Sequence, residues 1–125
     1  MIAQTAAAQA VAAAAVMPVP TKYTQAANTP ATNLVGETID GALYVEGWYK
    51  VSITRGTTKM ESGRFRLQYL NGVWRMQPYA DAEGEDCGVT FSFTQAGSVA
   101  QILAAVDNTS GSGVTIRIIK ERYAA

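Results

Sequence analysis

Residues 66–77, Arg-Leu-Gln-Tyr-Leu-Asn-Gly-Val-Trp-Arg-Met-Gln, spell out a β-hairpin. Asn71-Gly72 separates two alternating runs, and both residues tolerate the positive φ that a two-residue type I′ turn demands. A turn at that point sets Leu70 opposite Val73, Tyr69 opposite Trp74, Gln68 opposite Arg75, Leu67 opposite Met76 and Arg66 opposite Gln77. Aromatic then meets aromatic and aliphatic meets aliphatic on one face, with polar pairs on the other. A slip of one residue would carry every apolar side chain to the wrong face. Leu67, Tyr69, Trp74 and Met76 are therefore expected in the core.

The same period extends outward in both directions. Leu43, Val45, Tyr49, Val51 and Ile53 alternate with Tyr44, Glu46, Trp48, Lys50, Ser52 and Thr54, which predicts a half-buried strand with a bend at Gly47. Arg55-Gly56 offers a turn, and Glu61-Ser62-Gly63 a bend before the next strand. Val89 to Thr94 alternates again and brings Phe91 and Phe93 inward. Residues 98–106 fit two templates. Ser98 and Gln101 mimic a capping box over helically spaced Val99, Ile102, Leu103 and Val106. The preferred reading is a strand that pairs, across residues 107–113, with the alternating Val114, Ile116 and Ile118.

The first third of the chain differs. No charged side chain occurs before Lys22, and Ala6 to Ala15 is almost wholly alanine, so a helix ending before Pro18 and Pro20 is expected. Ile2, Ala6, Gln9, Ala13 and Val16 form a narrow seam at steps of four and three, which permits close approach to another helix. Ile2, Val11 and Val16 are its candidate contacts with a partner. The segment is too short and too weakly apolar to span a bilayer, and lacks the basic start of a secretory signal. Residues 19–35 read as an extended linker or a strand-like arm over another surface. The resulting division is an arm and linker, 1–35, followed by a β-rich domain, 36–125, folded as an antiparallel sandwich or jelly-roll-like module.

Composition excludes more chemistry than it suggests. Ten basic and ten acidic side chains cancel, giving no overall field to draw in nucleic acid or anionic membrane. There is no histidine, and the one cysteine, Cys87, has no internal partner. The usual Cys/His zinc sites and His-assisted nucleophiles are thereby ruled out. Asp81, Glu83, Glu85 and Asp86 could supply oxygen ligands to a hard cation, but their spacing does not match the EF-hand loop, and a solvated acidic loop is the expectation. Arg64, Arg66 and Arg75 alternate away from Tyr69 and Trp74, which suits a polar outer sheet face. Tyr44 and Trp48, opposite the aliphatic residues of their own strand, are candidates for an intersubunit contact. Asn108-Thr109-Ser110 has the form of a glycosylation acceptor, and no phosphate-loop fingerprint is present. No enzyme, cofactor or metal is expected.

Taken in order, Val51 to Gly56, Ser62 to Leu67, Asn71 to Trp74, Gly88 to Phe93 and Val106 to Gly113 resemble the small β-domains of tailed-bacteriophage virion proteins, especially head-decoration proteins and fibre ends. The resemblance covers about seventy-five residues and implies a β-sandwich or jelly-roll-like module in a symmetric, commonly trimeric, assembly. It implies a place in the virion, with the major capsid protein or other virion subunits as partners. A capsid decoration or cement protein gripping its neighbours through the N-terminal arm is the leading expectation. A tail-fibre or tail-tip adhesin is the alternative, and a secreted carbohydrate-binding or other ligand-binding module, using Tyr44, Trp48 or the loops, is the second.

Overall fold

Alternating side chains and tight glycine turns carry the chain through eight strands in the computed structural model, which describes residues 19–125. These are β1 Thr21–Gln25, β2 Thr29–Asp40, β3 Tyr44–Arg55, β4 Lys59–Leu70, β5 Val73–Gly84, β6 Val89–Ala96, β7 Val99–Val106 and β8 Val114–Ala124. They form a five-stranded sheet ordered β1-β8-β3-β4-β5 and a three-stranded sheet ordered β2-β7-β6. All pairings are antiparallel. The inner faces of the two sheets share one apolar core, in which Tyr49, Ile53, Leu67, Ile102 and Ile116 are fully buried.

The β4–β5 hairpin has the register read from its turn, with Tyr69 opposite Trp74 and Leu67 opposite Met76. Asn71 at φ 52° and Gly72 at φ 77° both occupy the left-handed region. Trp74 is 2% exposed. Its indole nitrogen donates to the Ser98 carbonyl at 2.7 Å, and its backbone N–H donates to Gln95 Oε1 at 2.9 Å. Gln95 Nε2 donates in turn to the carbonyls of Gly72 and Gly97, both at 2.8 Å. One amide therefore ties the turn of the large sheet to the turn of the small one. Tyr49 stacks on Phe65 with centroids 4.9 Å apart, and Phe65 meets Phe91 at 5.0 Å, which joins the sheets through their rings. Leu67, Trp74 and Phe91 are buried, while Tyr69, Met76 and Phe93 are partly buried against the core.

Several expectations change. Leu43 and Val45 do not join the core; they are 61% and 41% exposed. Pairing between β3 and β8 shifts register between Tyr44 and Glu46, so the alternation loses its covered face at that end. Gly47 serves packing, since a Cβ there would come within 2.9 Å of Ile39 Cδ1. Residues 99–106 are a strand, but β7 pairs with β2 and β6 rather than with β8. Residues 107–113 cross between sheets, because the inward rows Ala100, Ile102, Ala104, Val106 and Val114, Ile116, Ile118 are both buried on opposite sides of one core. Asp81 to Gly84 belong to β5, which leaves only Glu85 to Gly88 as a loop. Of the two readings of residues 19–35, the strand-like one is nearer, but the strands belong to the domain itself: β1 is hydrogen-bonded to β8, and β2 spans the 35/36 boundary with a register shift between Asn33 and Thr38. The expected alanine helix, with Ile2, Val11 and Val16, lies outside the described residues.

Buried charges tie separate elements together. Glu37, 1% exposed, accepts from Tyr23 Oη at 2.7 Å and from Lys120 Nζ at 2.9 Å. Arg55, 2% exposed at the end of β3, donates through Nε to the Ser112 carbonyl at 2.9 Å. It also donates to the Cys87 carbonyl at 3.0 Å, the Asp107 carbonyl at 2.9 Å and Asp107 Oδ1 at 2.5 Å. Asp107 further accepts from Thr109 Oγ1 at 2.8 Å and, through its backbone carbonyl, from Asn28 N–H at 2.9 Å.

Truncating Trp74 to Ala should cost about 3–5 kcal/mol in denaturant unfolding, as for other buried large aromatics. An unchanged midpoint would invert the assignment of the core face. Arg55→Met should cost a similar amount, about 3–5 kcal/mol, because it leaves carbonyls buried without their donor. The carboxyl of Asp107 is held below its usual range by hydrogen bonds from Thr109 and Arg55. Its contribution is thus complete above the ordinary carboxyl pKa, near 4, and is lost as pH falls through the depressed value. Asp107→Asn should flatten the acid limb of the stability profile below about pH 4, and an acid limb identical to wild type would refute the linkage.

Candidate functional site on the outer sheet face

The outward side chains of the five-stranded sheet come from alternate residues of β3, β4, β5 and β8. Register places Trp48 between Arg66 and Glu121, Lys50 between Arg64 and Ile119, and Glu46 between Gln68 and Tyr123. The guanidinium carbons of Arg66 and Arg64 lie 4.8 and 5.2 Å from the centroid of the Trp48 ring. Both are within the range in which a cation is attracted by the aromatic quadrupole. Trp48 Nε1 donates to Glu46 Oε2 at 3.0 Å, and Gln68 Nε2 donates to Glu46 Oε1 at 3.0 Å. Arg66 completes an ion pair with Glu46 at 3.5 Å. Tyr44 does not share this face as expected: beyond the register shift between Tyr44 and Glu46 it is partly buried against the core, with Arg122 at 5.3 Å from its ring centroid.

The arginines that alternate away from Tyr69 and Trp74 therefore meet an aromatic after all, from the neighbouring strand. What the sequence lacked was the β3–β4 register, which brings Trp48 and Arg66 opposite one another. Lys22, Lys50, Arg64, Arg66, Arg75 and Arg117 lie on this face with Glu46, Glu83 and Glu121. Glu37 and Glu61 are buried elsewhere. A chain with no net charge thus presents one locally basic sheet face. Beside Trp48, a depression of about 230 Å³ is lined by Lys50, Arg64, Ile119, Glu121 and Tyr123.

The interior titratable groups are arranged for structure. Cys87 is 1% exposed, and its backbone N–H donates to Glu61 Oε1 at 2.9 Å. Burial pushes its thiol upward, away from the reactive thiolate. Burial likewise pushes the Tyr49 phenol up to about 12. Tyr23 is raised further by burial and by its hydrogen bond to Glu37. Among the described residues no group of three or more His, Cys, Asp or Glu side chains is placed to hold a metal ion, and no helix is long and apolar enough to cross a membrane.

The two tryptophans should separate cleanly in fluorescence. Iodide should quench Trp48 in preference to buried Trp74, and more strongly than caesium does, because the cations around Trp48 concentrate anions. Trp48→Phe should remove the iodide-sensitive fraction and leave the melting transition within about 1–2 kcal/mol of wild type. Equal quenching by the two ions would contradict a basic face.

No protein-family model matches the chain, and no curated protein matches it. Among solved structures, the chain is similar to the tailspike protein of Acinetobacter phage vB_ApiP_P1, at 14% identity and a TM-score of 0.42, over 87% of this chain and 21% of that one. It is also similar to the tailspike protein of Acinetobacter baumannii phage AM24, at 10% identity and a TM-score of 0.36, over 86% of this chain and 28% of that one. The chain spans less than a third of the length of either tailspike.

Proposed function

We propose that the chain is a non-catalytic structural protein of a tailed-phage particle, acting as a capsid decoration protein that docks its outer sheet face on neighbouring virion subunits. The observation that carries this reading is the basic face centred on Trp48, Arg64 and Arg66. Aromatic and arginine side chains are the types enriched where protein surfaces meet. Two guanidiniums already sit over the Trp48 ring, and they occupy aromatic surface that a stacking sugar would need. That favours an acidic protein surface over a carbohydrate as the partner. The segment resemblance to phage virion β-domains supplies the setting, with the major capsid protein and further copies of this chain, in a trimer, as the contacts. The N-terminal segment grips those neighbours.

Purified particles, separated into heads and tails and analysed by mass spectrometry and imaging, test the assignment. The chain should accompany heads at high copy number, and Arg64→Glu with Arg66→Glu should abolish its occupancy without unfolding it. Recovery with tails at low copy number would replace decoration by a fibre or spike role. Absence from particles would end the virion reading.

A further inference from the structure

Strands β1 and β5 border the large sheet, and β2 and β6 border the small one. A border strand presents unpaired N–H and C=O groups, and natural proteins blunt such edges with proline, charge, bulges or shortness. Three of these borders are blunted. Strand β1 has five residues, one of them Lys22. Strand β2 contains Pro30 and shifts register twice against β7, with Gly36 at φ 90°. Strand β5 contains Arg75, Pro78 and Glu83 and shifts register twice against β4. Strand β6 has none of these devices. Its eight residues, Val89 to Ala96, include no proline, glycine or charge, and it runs against β7 without a shift.

The hairpin decides which backbone groups β6 leaves free. Gly97 and Ser98 make a two-residue turn, so Ala96 and Val99 are a hydrogen-bonded pair. That phase recurs at every second residue, and at the other end the Asp107 N–H donates to the Gly88 carbonyl at 2.9 Å. Thr90, Ser92 and Thr94 therefore turn their backbone groups toward β7. Val89, Phe91, Phe93 and Gln95 turn theirs to the other side, where no described strand pairs with them.

The strand itself specifies a partner. Thr90-Phe91-Ser92-Phe93-Thr94 reads identically in both directions. Antiparallel pairing with a second copy about a two-fold axis at Ser92 sets Thr90 opposite Thr94, Phe91 opposite Phe93 and Ser92 opposite itself. Threonine pairs on the outer face and aromatic pairs on the inner one are among those that stabilise antiparallel strands. No like charges meet, and the free backbone groups of Phe91 and Phe93 face one another across the axis.

We infer that the open edge of β6 pairs with β6 of a second copy of this chain about a two-fold axis at Ser92, joining the two small sheets into one continuous sheet. Each copy has a single unblunted edge, so the contact consumes it and closes at two. A two-fold contact lies outside any three-fold ring. The inference thus goes beyond the proposed trimer, ties one ring to another where a trimer forms, and does not rest on that reading.

The full chain carries the test through two readouts. Ser92→Lys sets two ammonium groups opposite each other across the axis. In sedimentation at micromolar concentration it should halve the mass of the wild-type species, weakening association about tenfold or more, with an unchanged circular dichroism spectrum. Oxidation of Ser92→Cys with copper phenanthroline should link two copies, because facing residues of a non-hydrogen-bonded pair have Cα atoms about 4.5 Å apart. Cys87 is buried and does not compete. Thr90→Cys and Thr94→Cys should each stay unlinked alone, since like positions then stand roughly 13 Å apart along the strands, and should link when mixed. A mass that Ser92→Lys leaves unchanged, a Ser92→Cys chain that stays unlinked, or linking by Thr90→Cys alone would each overturn the inference. None of these outcomes depends on whether the protein is found in particles.

Discussion

A single guanidinium, that of Arg55, holds the far end of the fold together. It reaches from the last residue of β3 to the carbonyls of Cys87, Asp107 and Ser112, which belong to two different connections. Those connections have no regular pairing of their own, and carbonyls buried without a donor would each cost free energy. Satisfying three of them and a carboxylate from one rigid, permanently charged fork is a task that lysine could not perform with three freely rotating donors. The Asp107 carbonyl that Arg55 contacts also accepts from Asn28, so the β1–β2 turn is registered against the same point. The sandwich is consequently closed by polar contacts at this end and by the Trp74–Gln95 bridge at the other.

How much of this could be read from the residues depended on whether the signal was local. The β4–β5 hairpin was legible to the register because Asn71-Gly72 and the facing pairs on either side agree. The strand character of residues 99–106 was only half legible, since Val99, Ile102, Leu103 and Val106 also carry helical spacing behind the Ser98–Gln101 capping pattern. Pairing partners were not legible. Strands β7 and β8 carry equivalent inward rows, and nothing in residues 107–113 distinguishes a hairpin loop from a crossing between sheets. Nor does Arg55 look buried in sequence, because an arginine before a glycine suits an exposed turn equally well. Residues 19–35 hid their strands because β1 has five residues and β2 breaks register twice, between Thr29 and Thr32 and between Asn33 and Thr38.

The outer face shows the same division. Alternation placed Trp48 and the arginines outward, each on its own strand, yet only the β3–β4 ladder makes them neighbours. Once adjacent, they convert scattered cations into a stacked cluster in which Glu46 orders Trp48, Gln68 and Arg66 together. Net charge, which argues against long-range attraction, therefore says little about what a single sheet face can bind.

The position of β8 bears on the order in which the fold can be made. It lies between β1 and β3, so the first strand of the described structure finds its only hydrogen-bonded neighbour in the last. During synthesis the β3-β4-β5 meander and the β6–β7 hairpin can form as soon as they emerge, since their contacts are near in sequence. Strand β1 must wait, and β3 keeps one open edge, until β8 has emerged and slides into the gap. A nascent chain stalled before β8 emerges would therefore hold an otherwise assembled fold with an unprotected strand edge, the form in which β-proteins are most prone to pair with the wrong neighbour.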